Sequence, residues 1–193
     1  MLFRSTRPAT AQVLVARQAA ESVATSSHAV KVSRRKVLIA SKFDLEFRRA
    51  ARPSITFKLP ESYRPSEVQA TSMADWFLTP GEGANPRTLT IEFTQPLTGK
   101  AQVVMQGYQV KGPDDAIAEV LVPQPLEMAT QNTSAAIWFD AGYVATMTQF
   151  DGWRSVAANQ LPAQLVGKQP TPPQFALSSS ALDVLPLGFD LLI

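Results

Sequence analysis

Between residues 85 and 108 the sequence alternates apolar and polar side chains with a period of two. Apolar residues occupy every second position in 89–93, and the same alternation returns in 101–105. The residues between them, 95–99, read Gln-Pro-Leu-Thr-Gly, which is turn chemistry. A period of two is typical of a strand with one buried face. The segment therefore predicts a β-hairpin whose two strands are joined at 95–99.

The rest of the chain repeats this alternation of short strands and turn signals. Pro53 is expected to end the longest β-favouring run, and the turn Asp140-Ala141-Gly142 is expected to join a second hairpin. No window carries a capped amphipathic helical stripe. The sequence predicts an all-β fold with little or no helix, specifically an antiparallel β-sandwich of immunoglobulin-like, Greek-key or meander type. The predicted strands cover 10–17, 30–47, 55–59, 68–77, 117–122, 135–139 and 143–149.

The ends of the chain bear on its domain organisation. We expect one β-sandwich domain in 1–168, followed in 169–193 by a Pro-rich linker and either a terminal strand or the start of a next unit. Residues 1–18 lack the apolar stretch of a secretory signal peptide, and no run approaches the ~18 apolar residues that a membrane span needs. We therefore expect a piece of a longer protein without a membrane span.

Charge is distributed unevenly along the chain. Residues 1–60 carry twelve Lys and Arg against three acids, and the remaining residues carry six against thirteen, so a net charge of +9 is followed by −7. A basic face for nucleic acid is one interpretation. The other is that strand faces of opposite charge attract each other within one fold or at a neighbouring domain. The second interpretation is preferred, and no nucleic-acid partner is expected.

Few residues suit catalysis or metal binding. The chain has no cysteine and one histidine, so disulfides are excluded and a zinc site would need carboxylates almost alone. His28 lies among serines and is expected at the surface. Asp75, Glu92, Asp140 and Asp151 are the candidates for a glycosidase-like acid pair, but Glu92 should face outward and the last two sit in turns. We predict no catalytic residue, no metal site, no cofactor and no enzymatic activity.

Aromatic side chains are the remaining candidates for ligand binding. Exposed rings on a β-fold can stack on sugar faces, whereas most aromatics are core anchors. Trp153 follows an Asp-Gly turn and is expected to be exposed, and Tyr143 and Trp76 complete the candidate set. Trp138 stands between apolar neighbours and is expected in the core. These residues support a carbohydrate-binding module as the alternative function, with a polysaccharide as partner.

Four segments together resemble a known kind of module. Residues 59–76, 89–107, 122–125 and 169–191 are similar to a β-rich module of large uncharacterised planctomycete cell-envelope proteins. The resemblance implies a non-catalytic structural or interaction module of a larger exported or cell-envelope protein. Its partners would be neighbouring domains of the same parent chain or another envelope protein. An extracytoplasmic or envelope location is expected, with a cytoplasmic one left open.

Overall fold

The chain is all-β, as the sequence predicts. The computed structural model describes residues 21–83, 85–112, 116–166 and 170–192, so the predicted strand at 10–17 lies outside the described residues. Within the described ranges, helix is limited to a 3₁₀ turn, Ala158–Gln160, and one α-helical turn, α1 (Ala163–Val166). No helix in these ranges is long enough to cross a membrane. The strands are β1 (Glu21–Val32), β2 (Lys36–Lys58), β3 (Tyr63–Ala70), β4 (Met73–Thr79), β5 (Thr88–Val110), β6 (Ile117–Val120), β7 (Gln124–Pro125), β8 (Thr130–Phe139), β9 (Val144–Gln149), β10 (Arg154–Ser155), β11 (Phe175–Ser179) and β12 (Leu187–Leu192).

The described strands form two sheets. The larger sheet has nine strands in the order β10-β11-β8-β1-β2-β5-β3, with β4 beside β5 and β7 beside β2. The smaller sheet has the order β6-β12-β9. The paired strands in the described ranges are antiparallel except β1 and β8, which run parallel. An immunoglobulin-like sandwich is not confirmed by this order, because one sheet holds nine strands and the other three.

The long strands β2 and β5 form the centre of the larger sheet and correct the predicted hairpin. Residues 88–110 are one continuous strand, because β2 pairs with it from Lys36 to Lys58. The residues 95–99 are a local irregularity in that strand, with Gly99 at φ 76°. Pro53 does not end β2, since the register shifts on both sides of Arg52 and pairing then resumes. Each strand therefore absorbs its proline at a bulge opposite the other strand's irregularity.

The second predicted hairpin is also wrong, although its turn is correct. The Tyr143 backbone N–H donates to the Asp140 carbonyl over 3.3 Å, and Gly142 has φ 99°. The strand before this turn, β8, pairs with β1 and β11, whereas the strand after it, β9, pairs with β12. The turn therefore carries the chain from one sheet to the other. Phe189 of the smaller sheet packs against Phe139 of the larger one at a centroid distance of 5.3 Å.

The predicted strand at 68–77 is divided into two. Ser72 has φ 51° and ends the first piece, after which the chain continues along the same neighbour, β5. Thr71 donates its backbone N–H to Gln102, and the Ser72 carbonyl accepts from Thr94. These bonds hold the break against β5. As a result, β3 and β4 lie end to end along one edge of the larger sheet.

The C-terminal segment is part of both sheets. β11 lies between β8 and β10, and β12 lies between β6 and β9. The described part of the basic N-terminal third, from Glu21 onward, is equally integrated, because β1 and β2 occupy the middle of the larger sheet. Ion pairs Lys31–Asp140, Arg52–Glu127 and Lys58–Asp183 connect it to the acidic remainder over 3.1, 2.8 and 3.0 Å. These contacts agree with the interpretation that the two charged regions attract each other within one fold.

Candidate interaction surface

Trp153 is buried, and the prediction that it is exposed is wrong. Its side chain is 5% exposed within the main hydrophobic core. The Asp-Gly turn reverses the chain, with Gly152 at φ 75° and the Trp153 N–H bonded to the Phe150 carbonyl, and this directs the indole inward. The indole Nε1–H donates to the Leu185 carbonyl over 2.9 Å. The ring faces are therefore not available for stacking on a sugar.

Tyr143 and Trp76 are half-buried in different surroundings. Tyr143 follows the turn between the two sheets, with the Lys111 ammonium 6.0 Å from its ring centroid. Trp76 lies on β4, paired with Ile91 of β5, and its ring packs against the core. Trp138 is buried, as expected, and donates its indole N–H to a backbone carbonyl. Ligand binding by Tyr143 and Trp76 remains a prediction.

His28 is buried, and the expectation of a surface histidine is wrong. It is 1% exposed on the inner face of β1, its ring packs edge-on against Phe43, and its Nδ1 lies 2.9 Å from the Ser41 Oγ. Nε2 has no partner among the described residues. Burial lowers the pKa of His28 to about 3, so the imidazole is neutral. The sequence did contain a sign of this burial, because His28 is two residues before Val30 and so falls on the same face of the strand. The neighbouring serines made the segment look polar.

Groups for metal or acid–base chemistry are not assembled in the described ranges. No group of three or more His, Asp or Glu side chains placed to hold a metal ion occurs there. Asp140 is paired with Lys31, and Asp151 is exposed in its turn. Asp75 and Glu92 are brought together as register partners on β4 and β5. Both are exposed on the outer face of the larger sheet and line none of the described concavities, so they lack the cleft that a glycosidase pair needs.

A concavity of about 460 Å³ lies on the outer face of the larger sheet, over β1, β2 and β5. Its two acids, Asp44 and Glu46, already have partners within the sheet. Asp44 is bound by Lys42 over 3.2 Å and by the Gln102 amide over 2.9 Å, and Glu46 is bound by Arg48 over 2.9 Å. This surface therefore has fewer free polar groups for a ligand than its shape suggests.

Strand β4 is an exposed edge with apolar side chains. Phe77 is 45% and Leu78 37% exposed, and within the described part of the chain β4 pairs only with β5. Edge strands are usually protected by charge, proline or a bulge. The adjoining β3 has all three, with Arg64, Pro65 and a register shift after Pro65. β4 has one charged residue, Asp75, and a register shift between Met73 and Asp75, but no Lys, Arg or Pro. We therefore call Met73–Thr79 the β4 edge and treat it as the candidate interaction surface.

Comparison with known proteins identifies similar folds but gives no information on activity. No family model and no curated protein matches this chain. Among solved structures, a mutant M1 zinc metallopeptidase from Deinococcus radiodurans is similar at 11% identity and a TM-score of 0.51. The native leukotriene A4 hydrolase from Saccharomyces cerevisiae is similar at 8% identity and a TM-score of 0.50. Each alignment covers 89% of this chain, but only 42% and 29% of those proteins. The chain thus has a β fold that occurs as part of larger proteins.

Proposed function

We propose that this chain is a non-catalytic interaction domain of a larger protein and that the β4 edge is its contact surface. The observation that carries the proposal is an apolar edge that has one charge and one register shift as its protection. Phe77 and Leu78 leave ring and methyl groups in water, and the strand lacks the lysines and prolines that discourage pairing. Burial of such a surface against a neighbour is favourable because it removes apolar area from water.

The fold comparison supports a domain role without supporting peptidase activity. In both solved relatives the matching region is less than half of the protein. A zinc site of ordinary composition needs several His or Cys ligands, and this sequence has one His and no Cys. That His is buried against Ser41. A role in the cell envelope is proposed only from the similarity of segments 59–76 and 89–107 to planctomycete modules.

Carbohydrate binding has less support than protein interaction. A sugar platform needs aromatic rings with exposed faces. Trp153 and Trp138 are buried, and their indole N–H groups donate hydrogen bonds to backbone carbonyls. Trp76 is half-buried against the core. The exposed apolar groups of β4 are better suited to another polypeptide.

Photocrosslinking in the cells that make the protein tests this proposal. We would replace Phe77 by p-benzoylphenylalanine and expect a covalent adduct to one neighbouring polypeptide segment. The control replaces Val110, which is 72% exposed on β5, and should give no specific adduct. Absence of an adduct at Phe77, or the same adducts at both positions, would contradict the proposal.

A further inference from the structure

We propose that the β4 edge binds an extended segment of a neighbouring domain, which carries an apolar residue and a lysine or arginine two positions apart. This inference rests on the proposed function and adds the chemistry of the partner. It follows from three features of the edge, namely its open backbone, its exposed apolar groups and an uncompensated pair of acids.

The open backbone selects an extended partner. β5 covers one side of β4, and no described strand covers the other. A strand added there would bond to the N–H and C=O groups of β4 that β5 leaves open, as in β-augmentation, and would compete with Asp75 Oδ1 for the Trp76 N–H. Phe77 and Leu78 face opposite sides of the sheet because side chains alternate along a strand. An added strand therefore contacts apolar surface on both faces.

The acids select a cation. Asp75 and Glu92 are register partners, so like charges lie side by side on adjacent strands, an arrangement that is unfavourable. Neither acid has an ion-pair partner among the described residues. Asp75 Oδ1 accepts the Trp76 backbone N–H over 2.7 Å, and Oδ2 has no partner in the described ranges. A lysine or arginine beside both carboxylates would relieve the repulsion.

The spacing follows from the register. Asp75 pairs with Glu92 and Phe77 pairs with Thr90, so Asp75 and Phe77 share the outer face. A strand added antiparallel places its residues in the reverse order along this face. It presents a cation opposite Asp75 and, two positions before it, an apolar residue opposite Phe77.

Two β4 edges paired with each other do not meet the requirement. The seven residues of β4 contain one acid and no Lys or Arg. Two β4 edges paired with each other would add two carboxylates to the interface and no compensating cation. The charge of the edge therefore favours a different segment over self-association.

A pair of peptide probes tests the partner chemistry. The probe is the capped heptapeptide Thr-Val-Thr-Val-Thr-Lys-Thr, and its control has glutamate in place of lysine. In amide chemical-shift titrations of the 193-residue chain, the lysine probe should shift Phe77 and Leu78 and bind roughly fivefold tighter than the control. Replacing both acids (Asp75→Asn with Glu92→Gln) should abolish that preference.

Further variants separate the apolar contribution from the charge contribution. Phe77→Ser should weaken both probes, provided that it keeps the amide dispersion of the parent chain. Val144→Ser is the matched control, because Val144 is 66% exposed on edge strand β9, and it should change neither affinity. A loss of binding in Val144→Ser would assign the probes to β9 and overturn the inference.

Other outcomes distinguish the two proposals. Equal binding of the lysine and glutamate probes overturns the partner chemistry, and concentration-dependent dimerisation that shifts the β4 amides assigns the edge to a second copy. If the Phe77 crosslinker captures a neighbour while the probes bind equally, the proposed function stands and the partner chemistry fails. If the crosslinker captures nothing, the proposed function itself fails.

Discussion

The ring of Tyr63 on β3 lies directly against the backbone of Gly107 on β5. A Cβ atom added at Gly107 would come within 2.5 Å of the Tyr63 Oη and 2.6 Å of the Arg64 carbonyl oxygen. Tyr63 is fully buried, and burial raises the pKa of its phenol. Only a residue without a side chain allows this approach between the two strands.

We therefore predict that Gly107→Ala destabilises the fold. Because backbone as well as ring atoms obstruct the methyl group, the free energy of unfolding should fall by about 1–3 kcal/mol. Urea denaturation followed by far-UV circular dichroism measures the change. The control, Val110→Ala, alters an exposed position on the same strand and should stay within about 0.5 kcal/mol. Equal stability of the two variants would show that Tyr63 can move away.

The buried His28 predicts a loss of stability in mild acid. Its pKa is about 3 in the folded state against 6.5 ordinarily, so the unfolded chain binds the proton first as pH falls. The contribution of neutral His28 to the free energy of unfolding is complete above pH 6.5. Below pH 6.5 it declines by about 1.4 kcal/mol per pH unit until the pKa of the folded state is reached. Between about pH 6.5 and 5, no other histidine contributes, because the chain has only one.

Denaturation at two pH values measures this effect. From about pH 7 to pH 5 the parent chain should lose about 2 kcal/mol of unfolding free energy. His28→Gln cannot take up a proton and should lose much less over the same interval. A parallel pH dependence in both proteins would mean that other groups cause the loss.

Trp153 is predicted to stabilise the fold through its position in the core. Trp153→Ala should cost about 3–5 kcal/mol because it empties a core position. Trp153→Phe keeps an aromatic ring in the core but removes the 2.9 Å hydrogen bond to the Leu185 carbonyl. Loss of that bond should lower the free energy of unfolding by about 1 kcal/mol, in addition to the effect of the smaller ring. Thermal unfolding of both variants tests this order. Wild-type stability of Trp153→Ala would restore the interpretation of an exposed ring.

Gln124 on β7 is predicted to contribute more to the stability of the fold than the Lys58–Asp183 ion pair, which lies next to its hydrogen-bond partner Val184. Its side-chain amide accepts the Val184 N–H over 3.1 Å and donates to the Val184 carbonyl over 2.5 Å, so it acts as a strand would toward this segment. Gln124→Leu leaves both buried backbone groups unsatisfied and should cost about 2–5 kcal/mol.

The neighbouring residue provides the comparison for Gln124→Leu. Asp183 is 69% exposed in its bridge to Lys58, so Asp183→Asn should cost less than about 1 kcal/mol. Chemical denaturation of the two variants under identical conditions compares them. A larger effect at Asp183 would mean that the surface ion pair holds this segment in place.

The sequence predicted which side chains of a strand are buried better than it predicted how the strands are connected. The alternating positions 89–93 and 101–105 put their apolar residues in the core, as expected from the period of two. The turn at 95–99 was wrong because a local pattern contains no information on β2, whose pairing carries the strand across the interruption. Pro53 misled in the same way, since a strand continues through a proline where a bulge lies opposite.

The candidate site was only partly visible in the sequence. Asp75 and Glu92 were considered as members of a glycosidase-like acid pair and not as part of an interaction surface. Their proximity depends on the break at Ser72 that sets β4 against β5. His28 and Trp153 were assigned to the surface because serines and a turn surround them. Their burial depends on long-range packing, which places His28 beside Ser41 and Trp153 beside Leu185.

The parallel pair of β1 and β8 has a consequence for how the protein is made. Val23 pairs with Thr130 and Val32 with Phe139, so β1 receives its second neighbour only after most of the chain has left the ribosome. Until then, β2 covers one side of β1 and the other side is a twelve-residue open ladder. A polypeptide released before residue 130 would retain that ladder permanently and present it to every other nascent copy.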